Sequence, residues 1–180
     1  MLSRYQTARL RVLEIARDAE PFELNALLQR VTELLTPAVV ENLPPYFQGI
    51  ASLADAERWL ELMLSESRLF AVQDKDSGSI LGFLFVYIED EHDAHIGYLL
   101  GEAYWGQGLA SELIRGLIAL AMQAQEWSKL IGGVDKTNQA SSNLLRKLGF
   151  VERPAVEPSA TEPSAIDSQV AFYEYHLSRP

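Results

Sequence analysis

The sequence predicts an α/β domain with a mixed sheet and helices on both faces. Stretches of β-forming residues alternate with stretches whose apolar residues recur every three to four positions. The predicted order is strand, two helices, three or four strands, helix, strand, helix and strand, which is typical of a layered fold. With 180 residues, 48% of them hydrophobic, the chain is expected to form a single domain over residues 1–180.

The first predicted strand covers residues 7–14, where apolar and polar residues alternate. A helical pattern follows, with Asp18 as its expected cap and Pro21 in its first turn. Pro37 is expected to break or end this helix because proline has no backbone N–H to continue it. The paired prolines within residues 42–47 predict a loop.

A second helix is predicted over residues 52–65, with Ser52 or Asp55 as its cap. Residues 68–73 and 80–88 then read as two strands joined by a polar turn at residues 74–79. An acidic connection, residues 89–93, leads to a further strand at residues 95–100.

The second half of the chain alternates helices and strands. A glycine turn with Gly101, Gly106 and Gly108 precedes a helix over residues 108–123, whose apolar residues form one wide stripe. The remaining predicted elements are a strand at 129–135, a helix at 138–148 closed by Gly149, a mobile loop at 153–167 and a final strand at 170–177.

The glycine turn has a physical use as an anion site. The first N–H groups of a helix lack partners within the helix, and its dipole makes that end positive. Glycines also allow a phosphate to approach the backbone. A turn that binds nothing remains the alternative. A Walker loop is excluded because Gln107 and Gly108 follow Gly106, and Ser111 makes a poor match to a dinucleotide fingerprint.

Two motifs in the second half of the chain resemble those of the GNAT superfamily of N-acetyltransferases. Gly106, Gly108 and Ala110 open a helix after a strand, as in the superfamily's acyl-CoA pyrophosphate loop, although Trp105 stands where arginine or glutamine is usual. The aromatic residues before this loop and the segment 138–150, which ends in Leu-Gly-Phe, resemble the RimJ/RimL-type branch. The start of the chain, from Thr7, resembles the first strand of that branch, so the similarity extends from Thr7 to Phe150.

The resemblance implies acetyl-CoA as co-substrate, no metal, and a fold in which two neighbouring strands part to admit the pantetheine arm. The residues expected at the cofactor, by position in these motifs, are Leu99, Leu100, Trp105, Gly106, Gln107, Gly108, Leu109, Ala110, Ser111, Asn138 and Ser141.

Acetyl transfer needs a base for the amine and a donor for the leaving thiolate. Many superfamily members carry a glutamate base where His95 aligns, and an imidazole can take an amine proton directly or through water. A structural histidine is the alternative, and Asp93, Glu102 and His92 are the other candidates. Leu145 replaces the usual tyrosine acid, and the resemblance suggests Ser141 instead, with Asn138 at the pantetheine. Both residues also suit a helix cap.

The expected acceptor is a primary amine, and the branch suggests the N-terminus of a ribosomal or other protein. A small amine (an amino acid, a polyamine or an antibiotic), a non-catalytic acyl-CoA-binding module and a structural domain with an empty glycine turn are the alternatives. Residues 37–50 and 153–167 are expected to form the acceptor side. There the carboxylates of Glu41, Glu152, Glu157 and Glu162 either attract an ammonium group or are merely solvated.

The amino-acid composition favours some classes of binding partner and reaction and excludes others. A net charge of −10 repels nucleic acid and favours the approach of cations, although acidity also serves solubility alone. The absence of cysteine excludes a thiol nucleophile, so direct attack on the thioester is expected. No apolar run approaches the roughly 18 residues of a membrane span and no signal-peptide core is evident. We therefore expect a cytoplasmic monomer or homodimer.

Overall fold

A computed structural model describes residues 1–16, 21–90, 92–154 and 169–177 of the chain. Its strands are β1 (Leu2–Gln6), β2 (Leu10–Glu14), β3 (Arg68–Asp74), β4 (Ile80–Asp90), β5 (Asp93–Leu100), β6 (Lys129–Asp135), β7 (Val151–Glu152) and β8 (Val170–His176). Its helices are α1 (Pro21–Leu34), α2 (Pro37–Val40), α3 (Leu53–Glu66), α4 (Leu109–Ala124) and α5 (Gln139–Lys147), with 3₁₀ turns at Pro45–Phe47 and Glu102–Tyr104.

The strands form one eight-stranded sheet in the order β1-β2-β3-β4-β5-β6-β8-β7. All neighbouring pairs are antiparallel except β5 and β6, which are parallel and joined through α4. A parallel pair needs such a crossover connection, and a helix supplies it. The predicted mixed sheet is therefore confirmed.

Each face of the sheet carries its own hydrophobic core. Helices α4 and α5 cover one face, where Leu113, Ile114 and Leu117 are buried against the strands. Helices α1, α2 and α3 cover the other face, where Trp59 packs edge-on to Phe83. The alternation of side chains along each strand supplies both faces with apolar groups. Helices on both faces were predicted and are observed.

The N-terminal region differs from the sequence prediction. The expected strand at residues 7–14 is present over Leu10–Glu14 as β2, while residues 7–9 form the turn of a hairpin in which β2 pairs with β1. The prediction missed β1 because it is an edge strand whose side chains are largely exposed, so it has no alternating apolar pattern. The hairpin brings residues 7–9 to the N-terminal end of α4, as described below.

Pro37 does not simply end a helix. It occupies the first position of α2, where its missing N–H costs nothing, and the Thr36 side chain accepts a hydrogen bond from Val39 N. Capping of α3 combines both predicted residues, since Ser52 Oγ accepts from Asp55 N and the Asp55 carboxylate accepts from Ser52 N.

The predicted helix cap at Gly149 is present, with a φ of 96°. The prediction of a mobile loop at 153–167 falls almost entirely outside the described residues, as do Asp18, Glu157 and Glu162. Within the described part of the chain, no helix is both long and apolar enough to cross a bilayer.

Candidate active site

Strands β5 and β6 part in the middle of the sheet and leave a cavity. Their parallel pairing runs from Asp93 opposite Lys129 to Ile96 opposite Gly132 and stops there, although both strands continue. The cavity has a volume of about 620 Å³ and is lined by the diverging strand ends, the glycine turn, the first turn of α5 and the segment after α2. The strand separation implied by the resemblance is therefore present.

The glycine turn forms one end of this cavity. Gly106 and Gly108 have φ angles of 71° and 76°, in the left-handed region that favours glycine. A Cβ added at Gly106 would meet no heavy atom within 4 Å, so the space over the turn is open. Trp105 ties the turn to the end of β5, since its indole N–H donates to the carbonyl of Leu100 at 2.7 Å.

Helix α4 begins immediately after the turn, with Gly108 as its cap residue. Leu109, Ala110 and Ser111 form its first turn and line the cavity. Their N–H groups belong to the set that has no acceptor within a helix. A positive helix end without side chains over its glycines fits the dimensions and charge of a pyrophosphate.

A cation from the other end of the chain lies beside this turn. Arg9 Nη1 donates to the carbonyl of Gln107 at 3.0 Å, and Arg9 Nε donates to Glu112 at 2.7 Å. Arg9 Nη2 lies 3.7 Å from the position that a Cβ on Gly108 would take. The described residues that line the cavity include no lysine, arginine or histidine, so Arg9 is a nearby source of positive charge at its rim.

Glu112 fixes the position of Arg9. Its carboxylate accepts hydrogen bonds from Thr7 Oγ1 at 2.5 Å and from Arg9 N at 2.7 Å, in addition to the guanidinium. Partial burial raises the pKa of Glu112, but these hydrogen bonds together outweigh it and hold the pKa below its usual range. The N-terminal hairpin and the start of α4 are thereby joined through one ionised side chain.

Two hydroxyl groups face each other across the cavity. Tyr98 on β5 donates to Ser141 Oγ on α5 at 3.5 Å. Ser141 N donates in turn to Asn138 Oδ1 at 3.1 Å, so Asn138 caps the helix that carries Ser141. Burial raises the pKa of the Tyr98 phenol, while the hydrogen bond with Ser141 acts more weakly in the opposite direction. Tyr98 is therefore a neutral hydrogen-bond donor at ordinary pH.

Leu145, which stands where the superfamily usually has a tyrosine acid, is a packed core residue. Leu145 is only 2% exposed, and its Cδ1 would lie 2.8 Å from a Cβ on Gly132. The leucine side chain thus occupies the space directly over the glycine backbone of β6. Residue 145 brings no hydroxyl to the cavity, and the hydroxyl-bearing residues in its lining are Tyr98, Tyr104, Ser111 and Ser141.

His95 does not line the cavity. It lies two residues before Gly97 on the same face of β5, and Gly97 does line the cavity. His95 Nε2 is shielded from solvent and lies 2.6 Å from a Glu89 carboxylate oxygen, but the direction of this contact is unsuitable for a hydrogen bond. A Cβ at Gly97 would meet only the Phe85 ring within 4 Å, at 3.8 Å, so there is space for a side chain over this glycine.

Carboxylates lie on the side of the cavity that faces α2. Glu41 and Asp135 both line it. Hydrogen bonds from the Thr137 side chain and backbone hold the pKa of Asp135 below its usual range. Thr137 Oγ1 also lies 3.3 Å from Asn42 Oδ1, which connects the segment after α2 with the loop before α5.

Most of the residues predicted at the cofactor are brought together by the fold. Those that line the cavity are Leu99, Leu100, Trp105, Gly106, Gly108, Leu109, Ala110, Ser111, Asn138 and Ser141. Gln107 does not line it, and its side chain donates to the carbonyl of Ala103. Glu152 pairs with Arg146 instead of facing the cavity.

The other candidate bases are engaged elsewhere. Asp93 pairs with Lys129 at 3.0 Å, Glu102 accepts from Thr36 at 2.8 Å, and His92 is exposed. Among the described residues, no group of three or more His, Asp or Glu side chains is placed to hold a metal ion.

Comparison with known proteins agrees with the resemblance seen in the sequence. The family model described as the acetyltransferase (GNAT) domain matches residues 9–151. The protein YkkB of Bacillus subtilis (strain 168) is 24% identical over 150 residues, which cover 79% of this chain and 80% of YkkB.

Two solved structures share the fold over nearly their whole length. RimL, described as a ribosomal L7/L12 alpha-N-protein acetyltransferase in complex with coenzyme A, superposes with a TM-score of 0.73 at 17% identity and covers 97% of this chain and 98% of its own. The ribosomal-protein-S5-alanine acetyltransferase of Vibrio fischeri gives a TM-score of 0.70 at 16% identity, with 98% of each chain covered.

Proposed function

The chain belongs to the GNAT family of acetyl-CoA-dependent N-acetyltransferases, and we propose that its acceptor is the α-amino group at the N-terminus of a protein. The observation that carries the proposal is the cavity between β5 and β6, whose lining includes both the glycine turn and the carboxylates of Glu41 and Asp135. The turn suits an anion and the carboxylates suit a cation, as acetyl-CoA and a protonated amine require. The two reactants would therefore meet where the strands part.

The residues at the glycine turn fit acetyl-CoA, which supplies an activated acetyl thioester when bound. The open space over Gly106 and the first N–H groups of α4 would bind the pyrophosphate, and Arg9 would supply the positive charge that the cavity lining lacks. This local arrangement offsets the net charge of −10, which by itself opposes a polyanionic ligand.

We assign the chemistry to three side chains. Asn138 positions the first turn of α5 and offers its amide to the pantetheine arm. Ser141 donates a hydrogen bond to the departing sulfur as negative charge develops there. His95, two residues before Gly97 on β5, takes the proton of the attacking amine through water. The amine attacks directly, since the chain has no cysteine to form an acyl-enzyme thioester.

The acceptor class is supported by the fold-level likeness to RimL and to the S5-alanine acetyltransferase, whose names state protein substrates. The carboxylates of Glu41 and Asp135 suit any ammonium group, so a small cationic amine is the second candidate. A peptide N-terminus and a small diamine differ in the space that they require. The peptide must place its backbone outside the cavity, whereas the small diamine has no such backbone.

The experiment is a screen of amine acceptors by release of free CoA from acetyl-CoA. Peptides that present different N-terminal residues would be compared with the same peptides blocked by N-terminal acetylation and with amino acids and polyamines. Turnover with free but not blocked peptides supports the proposal. Turnover confined to small amines would replace it with the second candidate.

Binding is measured separately by thermal unfolding with acetyl-CoA, with ATP and NAD as controls. Ligand at one hundred times its dissociation constant stabilises the folded state by about 2.7 kcal/mol. Because a chain of this length shifts by about 2–4 °C for each kcal/mol, the expected rise in melting temperature is readily measured.

A further inference from the structure

The hydroxyl of Tyr98 has no role in the assignments above, yet it lies inside the cavity. Its hydrogen-bond partner is Ser141 Oγ at 3.5 Å, and the two residues come from β5 and from α5, the helix that follows β6. Both residues line the cavity between β5 and β6.

The ring of Tyr98 packs on one side against the core. It lies on the face of β5 that also carries Ile96 and Leu100, and it is half-buried against the core under α4. Its neighbour across the sheet is Leu84, which is fully buried. These contacts limit the rotamers open to the ring, so the backbone of β5 directs the hydroxyl.

The direction of the hydrogen bond matters. Tyr98 donates its one proton, and Ser141 Oγ accepts it. A serine hydroxyl that accepts one hydrogen bond still has its own proton to donate, and that proton must point to another acceptor. Ser141 lines the cavity, so a group bound there is within reach of this proton. A hydrogen bond accepted from Tyr98 leaves the serine proton available to such a group.

We propose that Tyr98 is a positioning residue for acetyl transfer: its hydroxyl donates to Ser141 Oγ and thereby directs the Ser141 proton at the sulfur of the thioester. The inference rests on the proposed function. In the step itself the amine nitrogen forms the new C–N bond and the C–S bond breaks, with its electron pair on sulfur. The amine proton passes to His95 through water, and the thiolate gains a proton from solvent as CoA leaves.

The arrangement accounts for the absence of a tyrosine at residue 145. In this chain the helix position is occupied by Leu145 against Gly132, and a phenol is supplied from the neighbouring strand instead. The strand-borne phenol acts on the serine and does not need to reach the sulfur itself. Serine and tyrosine therefore form one functional unit, and their substitutions should not have independent effects.

The test uses Tyr98→Phe, which removes only the hydroxyl, together with Ser141→Ala and the double variant. We expect Ser141→Ala to lower kcat about 100-fold, as for loss of a donor to developing charge. Tyr98→Phe should lower kcat about tenfold and leave the KM for acetyl-CoA unchanged. The double variant should be no slower than Ser141→Ala alone, because without the serine the tyrosine has nothing to position.

Tyr5→Phe is the matched control, since the Tyr5 hydroxyl donates to the carbonyl of Leu113 at 2.9 Å and Tyr5 does not line the cavity. It should lower the melting temperature but not kcat. Full activity of Tyr98→Phe, or losses in the two single variants that multiply in the double variant, would overturn the inference while the proposed function stands.

A binding measurement keeps the inference testable without turnover. The Ser141 hydroxyl should favour CoA over desulfo-CoA, which lacks the thiol, by about two- to tenfold in affinity measured by calorimetry. Tyr98→Phe should weaken the binding of CoA and leave the affinity for desulfo-CoA unchanged. If the wild-type protein does not distinguish the two ligands, the inference is wrong. If it does but no amine is acetylated, the proposed acceptor class fails instead.

Discussion

Leu145 lies directly on the backbone of Gly132, at the point where β5 and β6 cease to pair. A Cβ on Gly132 would come within 2.8 Å of Leu145 Cδ1, closer than side-chain carbons approach one another. The glycine is opposite Ile96, the last residue of β5 in the parallel ladder. The distance of α5 from the sheet is therefore set by a glycine, and Ser141 is carried on that helix.

Gly132→Ala should push α5 away from the sheet. Leu145 is enclosed by the core and has little room to yield, so we expect a loss of about 1–3 kcal/mol in the free energy of unfolding, measured by urea titration. Adding Leu145→Ala should remove the clash, and the double variant should be more stable than the sum of the two single losses predicts. Strict additivity would show that the two residues do not share this space.

Arg9→Gln should weaken the binding of acetyl-CoA, because the variant lacks the cation that we expect beside the phosphates. We expect an increase of about 10-fold in the dissociation constant for acetyl-CoA, the value of one charge-assisted hydrogen bond, and no change for acetyl-pantetheine, which has no pyrophosphate. Isothermal calorimetry at two salt concentrations measures both. Arg11→Gln, one residue beyond the turn contacts, is the control. Equal weakening of both ligands would mean that Arg9 acts only through the fold.

His95→Gln tests the proposed base. The side chain stays polar and of similar size, so the fold should be retained, while kcat should fall by about 10²–10⁴-fold as for loss of a general base. The pH dependence of kcat should also change. His92→Gln is the matched control because His92 is exposed in the turn just before β5. Unchanged kcat in His95→Gln would remove this residue from the mechanism.

Acid should loosen the glycine turn through Glu112. The pKa of this carboxyl is lower in the folded chain than its usual value, because hydrogen bonds from Thr7 and Arg9 outweigh the effect of burial. Folding therefore favours the ionised form. The stabilisation is present above the unfolded pKa, about 4.3, and is lost as the pH falls through the lower folded value.

Glu112→Gln should therefore be less stable than the wild type at pH 7, by about 2–4 °C in melting temperature, and the difference should shrink as the pH falls below about 4. Glu61→Gln, at an exposed position on α3, is the control and should follow the wild-type curve. A constant difference between Glu112→Gln and wild type at every pH would contradict the assigned role.

The features that the sequence alone could predict are those set by residues close together in the chain. The period of apolar residues in α4, the glycines before it and the capping residues of α3 and α5 act over a few positions, so their outcome can be read from neighbours in the chain. The alternation in β5 correctly placed Ile96, Tyr98 and Leu100 on one face. The two motifs that resemble the GNAT family lie in these well-determined elements.

The features that the sequence did not reveal depend on distant partners. Arg9 read as part of an ordinary strand, and nothing near it in the chain points to Glu112, 103 positions away. For Tyr98, the alternation gives the face of the side chain but not the polar group that it meets. Ser141 lies 43 positions further on, and only the crossing of β5 and α5 brings the two together.

The contacts that hold the N-terminal hairpin to α4 also have a consequence for the time course of folding. Thr7 and Arg9 both reach Glu112, more than one hundred positions away, so these bonds close some of the longest loops in the chain. Closing long loops is slow, and during synthesis Glu112 leaves the ribosome well after the hairpin does. The phosphate end of the site is thus completed late, and nascent chains should acquire affinity for the cofactor only after α4 has docked.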